Sequence, residues 1–180
     1  LVSRTKSGCP APDVSIWLRS LKRPYDECDT WRENVLSDLT GADKPALVLA
    51  TSTQTESLVS RVDGSRLDGA PAQQEWRDGW ARTLERLTAA GVPVVVLRDT
   101  PWPGTDVARC VSEHLDDPSA CDVGRGALAS PSFDVGTTKG IAGATPLDLT
   151  AAMCSADRCP AVIGPRLVYR DDNLLSATFA

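Results

Sequence analysis

The sequence predicts an α/β protein, a three-layer sandwich around a mainly parallel β-sheet. Short apolar runs rich in β-branched residues alternate with longer segments of helical period. One such segment, Ala72 to Ala90, runs through Gly91 into the apolar run Val92 to Leu97, which is the αβ half of a parallel β-α-β unit. A length of 180 residues suits one domain with a substantial core, so residues 1–180 are expected to form a single domain without a second core.

The elements follow in order. Leu1 to Thr5 is expected as a short strand. Asp29 to Leu39 reads as a helix opened by Asp29 or Thr30 as N-cap, with Trp31, Val35 and Leu39 on one face. The turn signal Gly41-Ala42-Asp43-Lys44-Pro45 leads into Ala46 to Thr51, which reads as a buried strand. In the second helix, Trp76, Trp80, Leu84 and Leu87 recur at steps of four, four and three and so share one face, and Gly91 ends the helix as a C-terminal cap. Gly124 to Thr145, rich in Gly, Ser, Thr and Pro and without a steady period, reads as a long surface loop. Ala161 to Tyr169 is expected to return the chain to the sheet. Sites in open α/β sheets form beyond the carboxyl ends of strands, and both Asp171 and the Thr51-Ser52-Thr53 segment follow strands, which places them at one rim.

Composition excludes several function classes. The net charge is −5 with acids and bases interspersed, so no basic stripe is present for a phosphate backbone and nucleic acid is not an expected partner. No apolar run approaches the roughly 18–20 residues that span a bilayer. Leu1-Val2-Ser3-Arg4 lacks the form of a signal peptide, and with no initiator Met the chain reads as an excised or processed segment. The glycine clusters do not match a phosphate-binding loop, because Lys139 precedes Gly140. Six cysteines allow fifteen pairings; their grouping favours Cys9–Cys28, Cys110–Cys121 and Cys154–Cys159. Without Cys-x-x-Cys knuckles or Cys/His clusters, disulfides are expected rather than a metal, and with them an oxidising, extracytoplasmic location. No cofactor is expected.

The C-terminal segment Tyr169-Arg170-Asp171-Asp172-Asn173-Leu174-Leu175-Ser176, preceded by Cys159-Pro160-Ala161-Val162-Ile163-Gly164, resembles the last catalytic block of SGNH hydrolases. Near the start, Thr5-Lys6-Ser7-Gly8-Cys9-Pro10 and Cys28-x-x-Trp31 resemble segments of the same family. In this order, the motifs make nearly the whole chain similar to the SGNH domains fused to membrane acyltransferases of the acyltransferase-3 type. The resemblance implies an SGNH/flavodoxin-like fold and a role in O-acylating cell-surface glycans, with the membrane part of the same parent protein as partner and a glycan as acceptor. It also implies a triad in which Ser attacks, His is the base and Asp orients the His.

Two departures govern what this chain can do. Asp171 stands at the triad carboxylate, but Leu174 stands at the triad His position, and a leucine has neither lone pair nor titratable proton. The nucleophile block Gly-Asp-Ser occurs nowhere in these residues, and the resemblance places it upstream of Leu1 at the end of the first strand. Asp63-Gly64-Ser65 reverses it and Ser7-Gly8 lacks the acid. A sheet lacking that interior first strand is expected to leave edges unpaired, to rearrange, or to pair with a strand-completing partner chain.

Other candidates carry competing readings. Asp171 is either the retained triad acid or a turn residue of Asp171-Asp172-Asn173. Asp172 is expected in solvent. His114, the sole histidine, is expected as an exposed surface residue. By resemblance Ser7, Gly8 and Thr51 fall at oxyanion-hole positions. For Ser7 and Gly8 the competing reading is a disulfide-anchored bend at Cys9, and at Thr51-Ser52 the Asn common in the family is missing. Among five tryptophans, Trp31, Trp76 and Trp80 are expected in the core, and Trp102, between Pro101 and Pro103, is the candidate sugar platform. Three functional readings result: an O-acyltransferase domain inactive in isolation, a non-catalytic glycan-binding or docking module, and a domain in which Leu174 is an engineered substitution, so that a parent with His at this position and an upstream Gly-Asp-Ser would be the enzyme.

Overall fold

The structure, a computed structural model, describes residues 1–53, 56–127 and 138–180. In chain order its elements begin with β1 (Ser15–Leu18), β2 (Arg23–Pro24), α1 (Asp26–Thr40), β3 (Val48–Ala50), β4 (Ser57–Val59) and β5 (Arg66–Leu67). They continue with α2 (Gly69–Ala89), β6 (Val94–Leu97), α3 (Val107–Glu113), β7 (Val123–Gly124) and β8 (Ala144–Leu147). The last are α4 (Thr150–Met153), β9 (Arg158–Cys159), β10 (Val162–Ile163) and β11 (Arg166–Leu167). The described residues form two compact units, the first from 1–98 and 138–147, the second from 99–127 and 148–180.

In the first unit, β6 lies between β3 and β8 in a three-stranded parallel sheet, with Leu49 opposite Val95 and Val95 opposite Thr145. Parallel pairing of β3 with β6 requires a crossover, and α2 lies within the connection that supplies it. A second, antiparallel sheet has the order β2-β1-β4-β5. One core joins both sheets to the helices: Val14, Ile16 and Leu58 with Trp76, Trp80, Leu84 and Leu87 of α2, and Val94 and Val96 of β6. The four apolar residues spaced along α2 are all buried, as the helical period predicts. The N–H of Gly91 closes the end of that helix on the Thr88 carbonyl at 2.8 Å.

Several expectations are corrected. Leu1 to Thr5 is not a strand; it finds no ladder partner among the described residues, and Leu1 and Val2 are exposed. The second strand shrinks to Val48–Ala50 and is an edge rather than buried: Val48 and Ala50 pack toward the core, whereas Leu49 on the opposite face is 56% exposed. Helix α1 begins at Asp26, a turn before the expected cap, with Tyr25 at the N-cap. Asp29 lies inside the first turn, where it accepts the Ser15 hydroxyl at 2.8 Å, and the Thr30 hydroxyl bonds back to the Asp26 carbonyl at 3.1 Å. The buried stripe of α1 is Cys28, Arg32 and Leu36, one position round from the expected Trp31, Val35 and Leu39, because the Cys9–Cys28 disulfide fixes which face turns inward. The expected loop from Gly124 to Thr145 ends in a parallel strand, β8, and Thr138 within it is 5% exposed; residues 128–137 lie outside the described residues.

The second unit corrects the last strand. Val162–Ile163 and Arg166–Leu167 form an antiparallel hairpin instead of one strand re-entering the sheet. Gly164-Pro165 dictates this, with Gly164 at φ +58° in the first central position of a two-residue turn, a conformation that costs other residues dearly. A small core of Val107, Cys121, Ala161, Val168 and Tyr169 is stapled by Cys110–Cys121, and Cys154–Cys159 anchors a neighbouring cluster with Met153. All three disulfides are the locally grouped pairs favoured by the sequence.

Gly79 shows how tightly α2 seats on the segment before β1. A Cβ there would run into Val14 Cγ1 and lie 3.0 Å from the Asp13 carbonyl oxygen, and Val14 is fully buried. Helix propensity alone favours Gly79→Ala by up to about 1 kcal/mol. Overpacking costs roughly 1–3 kcal/mol and wins. We expect a lower thermal midpoint for Gly79→Ala; an unchanged or higher one would show that the contact is not tight.

Candidate functional site

The first group of candidates surrounds a cleft of about 330 Å³ in the first unit. Its walls come from separate parts of the chain: the N-terminal segment on either side of Ser7, Ile16 of β1, Trp31 of α1, Thr51, Ser52 and Thr53 after β3, Glu56 and Leu58 at β4, and Trp76 of α2. The N-terminal wall is a tight turn closed by the Cys9 N–H on the Lys6 carbonyl at 3.1 Å, with Gly8 at φ +65° in its third place. The Cys9–Cys28 disulfide ties this turn to α1. Gly8 and Thr51 line the cleft together, while Ser7 stands exposed at the tip of the turn and is not among the lining residues. The Ser52 hydroxyl accepts the Ala11 N–H at 3.2 Å, joining the end of β3 to the N-terminal segment. Thr53 Oγ1 is buried at the wall of this cleft and has no hydrogen-bond partner among the described residues. Glu56, also lining it, holds Arg19 at 3.2 Å.

The second candidate is the Asp171 loop of the second unit. Asp171 Oδ1 accepts the N–H groups of Asn173 and Leu174 at 3.1 and 2.7 Å, and Oδ2 takes the Arg170 guanidinium at 3.1 Å. The Arg170 N–H bonds to the Leu174 carbonyl at 2.8 Å, and Tyr169 bridges to Leu175, so the five residues close into a turn. The backbone bonds from Leu174 and Asn173, with Arg170 behind them, hold the Asp171 carboxyl below the usual carboxylate range. The carboxylate therefore fixes the backbone at Asn173 and Leu174, and the Leu174 side chain is 49% exposed. Asp172 is exposed, as expected. Burial of Tyr169 pushes its phenol up, and the hydroxyl has no hydrogen-bond partner.

The remaining candidates separate. Ser65 donates its hydroxyl to Asp63 at 2.8 Å in the exposed loop between β4 and β5, which leaves Asp63-Gly64-Ser65 a turn and not a nucleophile. His114 is exposed at the end of α3, with Nδ1 3.0 Å from the Cys110 carbonyl oxygen. Cys110, His114 and Cys121 bring their sulfurs and a ring nitrogen within 4.8 Å of one another, but the two sulfurs are bonded together, and a disulfide sulfur is not the thiolate a metal needs.

The tryptophans are partly reassigned. Trp76 and Trp80 are core, whereas Trp31 is half-buried and forms a cleft wall, a placement the sequence could not reveal because α1 is rotated by its disulfide. Trp102 is half-buried between two buried prolines of the second unit. Arg4 and Glu56 fall in none of the segments that the sequence marked for the site; they become cleft residues through folding alone.

Comparison with known proteins places this arrangement. Among solved structures, the chain is similar to the "lipopolysaccharide acetyltransferase periplasmic domain" of Salmonella ser. Paratyphi A, with a TM-score of 0.58 at 13% sequence identity. The match covers 94% of this chain and 64% of that one, so the chain spans less than two thirds of that domain's length. At such identity the likeness establishes the fold. No curated protein sequence matches the chain. A family model described as "SGNH domain (fused to AT3 domains)" matches residues 1–180, and with the whole chain covered, this protein belongs to the family of SGNH domains fused to AT3 domains.

Proposed function

We propose that residues 1–180 act as one extracytoplasmic SGNH domain of a membrane-tethered O-acyltransferase that acylates a cell-surface glycan, and that these residues alone do not catalyse the transfer. The observation that carries this reading is the Asp171 loop. It keeps the orienting carboxylate in a closed turn of a family member, yet offers leucine where the base belongs. In an active domain, a serine would attack the acyl carbonyl, an imidazole at position 174 would take its proton, and Asp171 would hold that imidazole. The sequence given supplies one of these three groups. Gly8 and Thr51, at the cleft of the first unit, are the positions we assign to oxyanion support, and Trp102 remains a proposed sugar contact.

Three disulfides support an oxidising compartment. The fusion named by the family model supports a membrane acyltransferase domain as partner within the same parent protein, and the solved neighbour is a periplasmic domain. Among the described residues no helix is long and apolar enough to cross a membrane, so tethering would come from the fused part. An open β3 edge is where a strand-completing segment would pair.

A second reading, that the domain binds glycan or docks on its membrane partner without chemistry, is favoured by one feature. Asp171 is already satisfied by backbone N–H groups, so the loop holds its form without an imidazole. Cells expressing the parent protein separate the two. On the first reading, deleting residues 1–180 removes base-labile acyl groups from the surface glycan, as measured by mass spectrometry, and restoring the domain returns them. Acylation unaffected by the deletion would contradict it.

A further inference from the structure

Helix α1 carries a second cleft that the reading above does not use. It has a volume of about 430 Å³ and is lined by Asp26, Glu27, Thr30, Trp31 and Asn34 with Arg23 from β2. The helix positions are spaced at one, four, five and eight from Asp26, which puts them on one face, away from the inward stripe of Cys28, Arg32 and Leu36. Trp31 lines this cleft and also the one of about 330 Å³ that holds Gly8 and Thr51. The first volume falls within the roughly 300–1,000 Å³ typical of small-ligand clefts, whereas the second is a shallow depression largely open to solvent. One half-buried indole is thus the partition between two adjoining clefts.

The polar groups around it divide into those held in hydrogen bonds and those outside them, Asp26 among the latter although its charge acts on Arg23. Arg23 and Glu27 form a bidentate pair at 2.9 and 2.5 Å, and the Thr30 hydroxyl is held by the Asp26 carbonyl. The Asn34 amide and the Asp26 carboxylate take no hydrogen bond among the described residues. In the cleft of about 330 Å³ that Trp31 also lines, Thr53 Oγ1 is buried and has no hydrogen-bond partner among the described residues. A sugar ring presents an apolar C–H face and an edge of hydroxyls, so it needs a flat aromatic surface beside free donors and acceptors. An amide offers both and a carboxylate offers acceptors.

We propose that Trp31 is the stacking platform of a two-subsite glycan groove, in which successive sugars of one chain occupy the two clefts and Asn34 and Asp26 bind hydroxyls in the outer one. This rests on the glycan reading of the domain and names where the glycan lies. It assigns to Trp31, and not to Trp102, the principal sugar contact.

The test uses the disulfide-intact chain on an array of microbial surface polysaccharides and their mono-, di- and oligosaccharide fragments. The wild type retains at least one polysaccharide, and its single-sugar fragment binds at least about tenfold more weakly, because it fills one cleft. Trp31→Ala weakens retention about tenfold or more, and Trp31→Tyr stays within about threefold of the wild type. Asn34→Ala, which changes an exposed side chain and leaves folding intact, weakens polysaccharide retention several-fold. Retention unchanged in Trp31→Ala and Asn34→Ala overturns the groove while leaving glycan binding in place. Retention of no polysaccharide by the wild type overturns both the groove and the glycan reading beneath it.

Discussion

Trp80→Ala should cost the first unit about 3–5 kcal/mol, the range for deleting a large buried aromatic side chain. Trp80 is 1% exposed and belongs to the core that joins both sheets of that unit to α2. Its neighbours along the helix, Trp76 and Leu84, are buried with it, so a cavity there has little freedom to collapse. At roughly 2–4 °C per kcal/mol for a chain of this length, the thermal midpoint of the first unit should fall by roughly 6–20 °C. The two compact units make near-ultraviolet circular dichroism the better probe, since a single two-state midpoint is not assured for both. A fall of less than about 2 °C would remove Trp80 from the core and, with it, the period on which α2 was read.

Arg32→Met should cost about 2–3 kcal/mol, despite replacing a charge by an apolar side chain of similar length. Arg32 is 3% exposed. Its guanidinium donates to the Pro10 carbonyl at 3.2 Å, to Asp29 at 3.0 Å and to the Cys28 sulfur at 2.9 Å, and it lies 3.5 Å from Asp13. Burial pulls the Arg32 pKa down and the two carboxylates only partly restore it, leaving the group charged at neutral pH. The substitution strands the Pro10 carbonyl and takes the guanidinium from Asp29, which keeps the Ser15 hydroxyl. Asp13 keeps Arg61 and Arg82, and both carboxylates are about one third exposed, which holds the loss below the 3–5 kcal/mol of a fully buried pair. Because Pro10 lines the cleft of the first unit, the same variant should loosen the turn that carries Gly8. Urea titration checks the first effect; stability equal to the wild type would mean that the guanidinium contributes no net free energy.

What the sequence made legible depended on pattern length. Helix α2 was readable because four large apolar residues repeat on one face from Trp76 to Leu87, and β6 because Val94, Val95, Val96 and Leu97 form an unbroken apolar run. The disulfides were readable because each pair is close in sequence, with separations of 19, 11 and 5. Strand β8 was hidden by its own composition: Ala144–Leu147 contains Pro146, which a sheet tolerates at an edge, and β8 pairs with β6 alone. The hairpin of β10 and β11 was hidden because an apolar run straddles Gly164-Pro165 and reads as continuous. Leu1 to Thr5 has strand-like residues but no ladder partner among the described residues, and pairing is a property of two segments. For the site, Asp171 and Leu174 were legible as neighbours in one motif. The clefts on either side of Trp31 were not, because their walls come from distant segments and from a helix face turned by a disulfide and a buried arginine.

The central proposal is that residues 1–180 hold one triad position of three and by themselves do not turn over an ester. Hydrolysis of short-chain acyl esters by the purified, disulfide-intact chain, set against its heat-unfolded control, tests this most directly. The account predicts no turnover above the control. Turnover above it would mean that these residues contain a nucleophile and a base of their own, and the inactive reading of the Asp171 loop would be wrong.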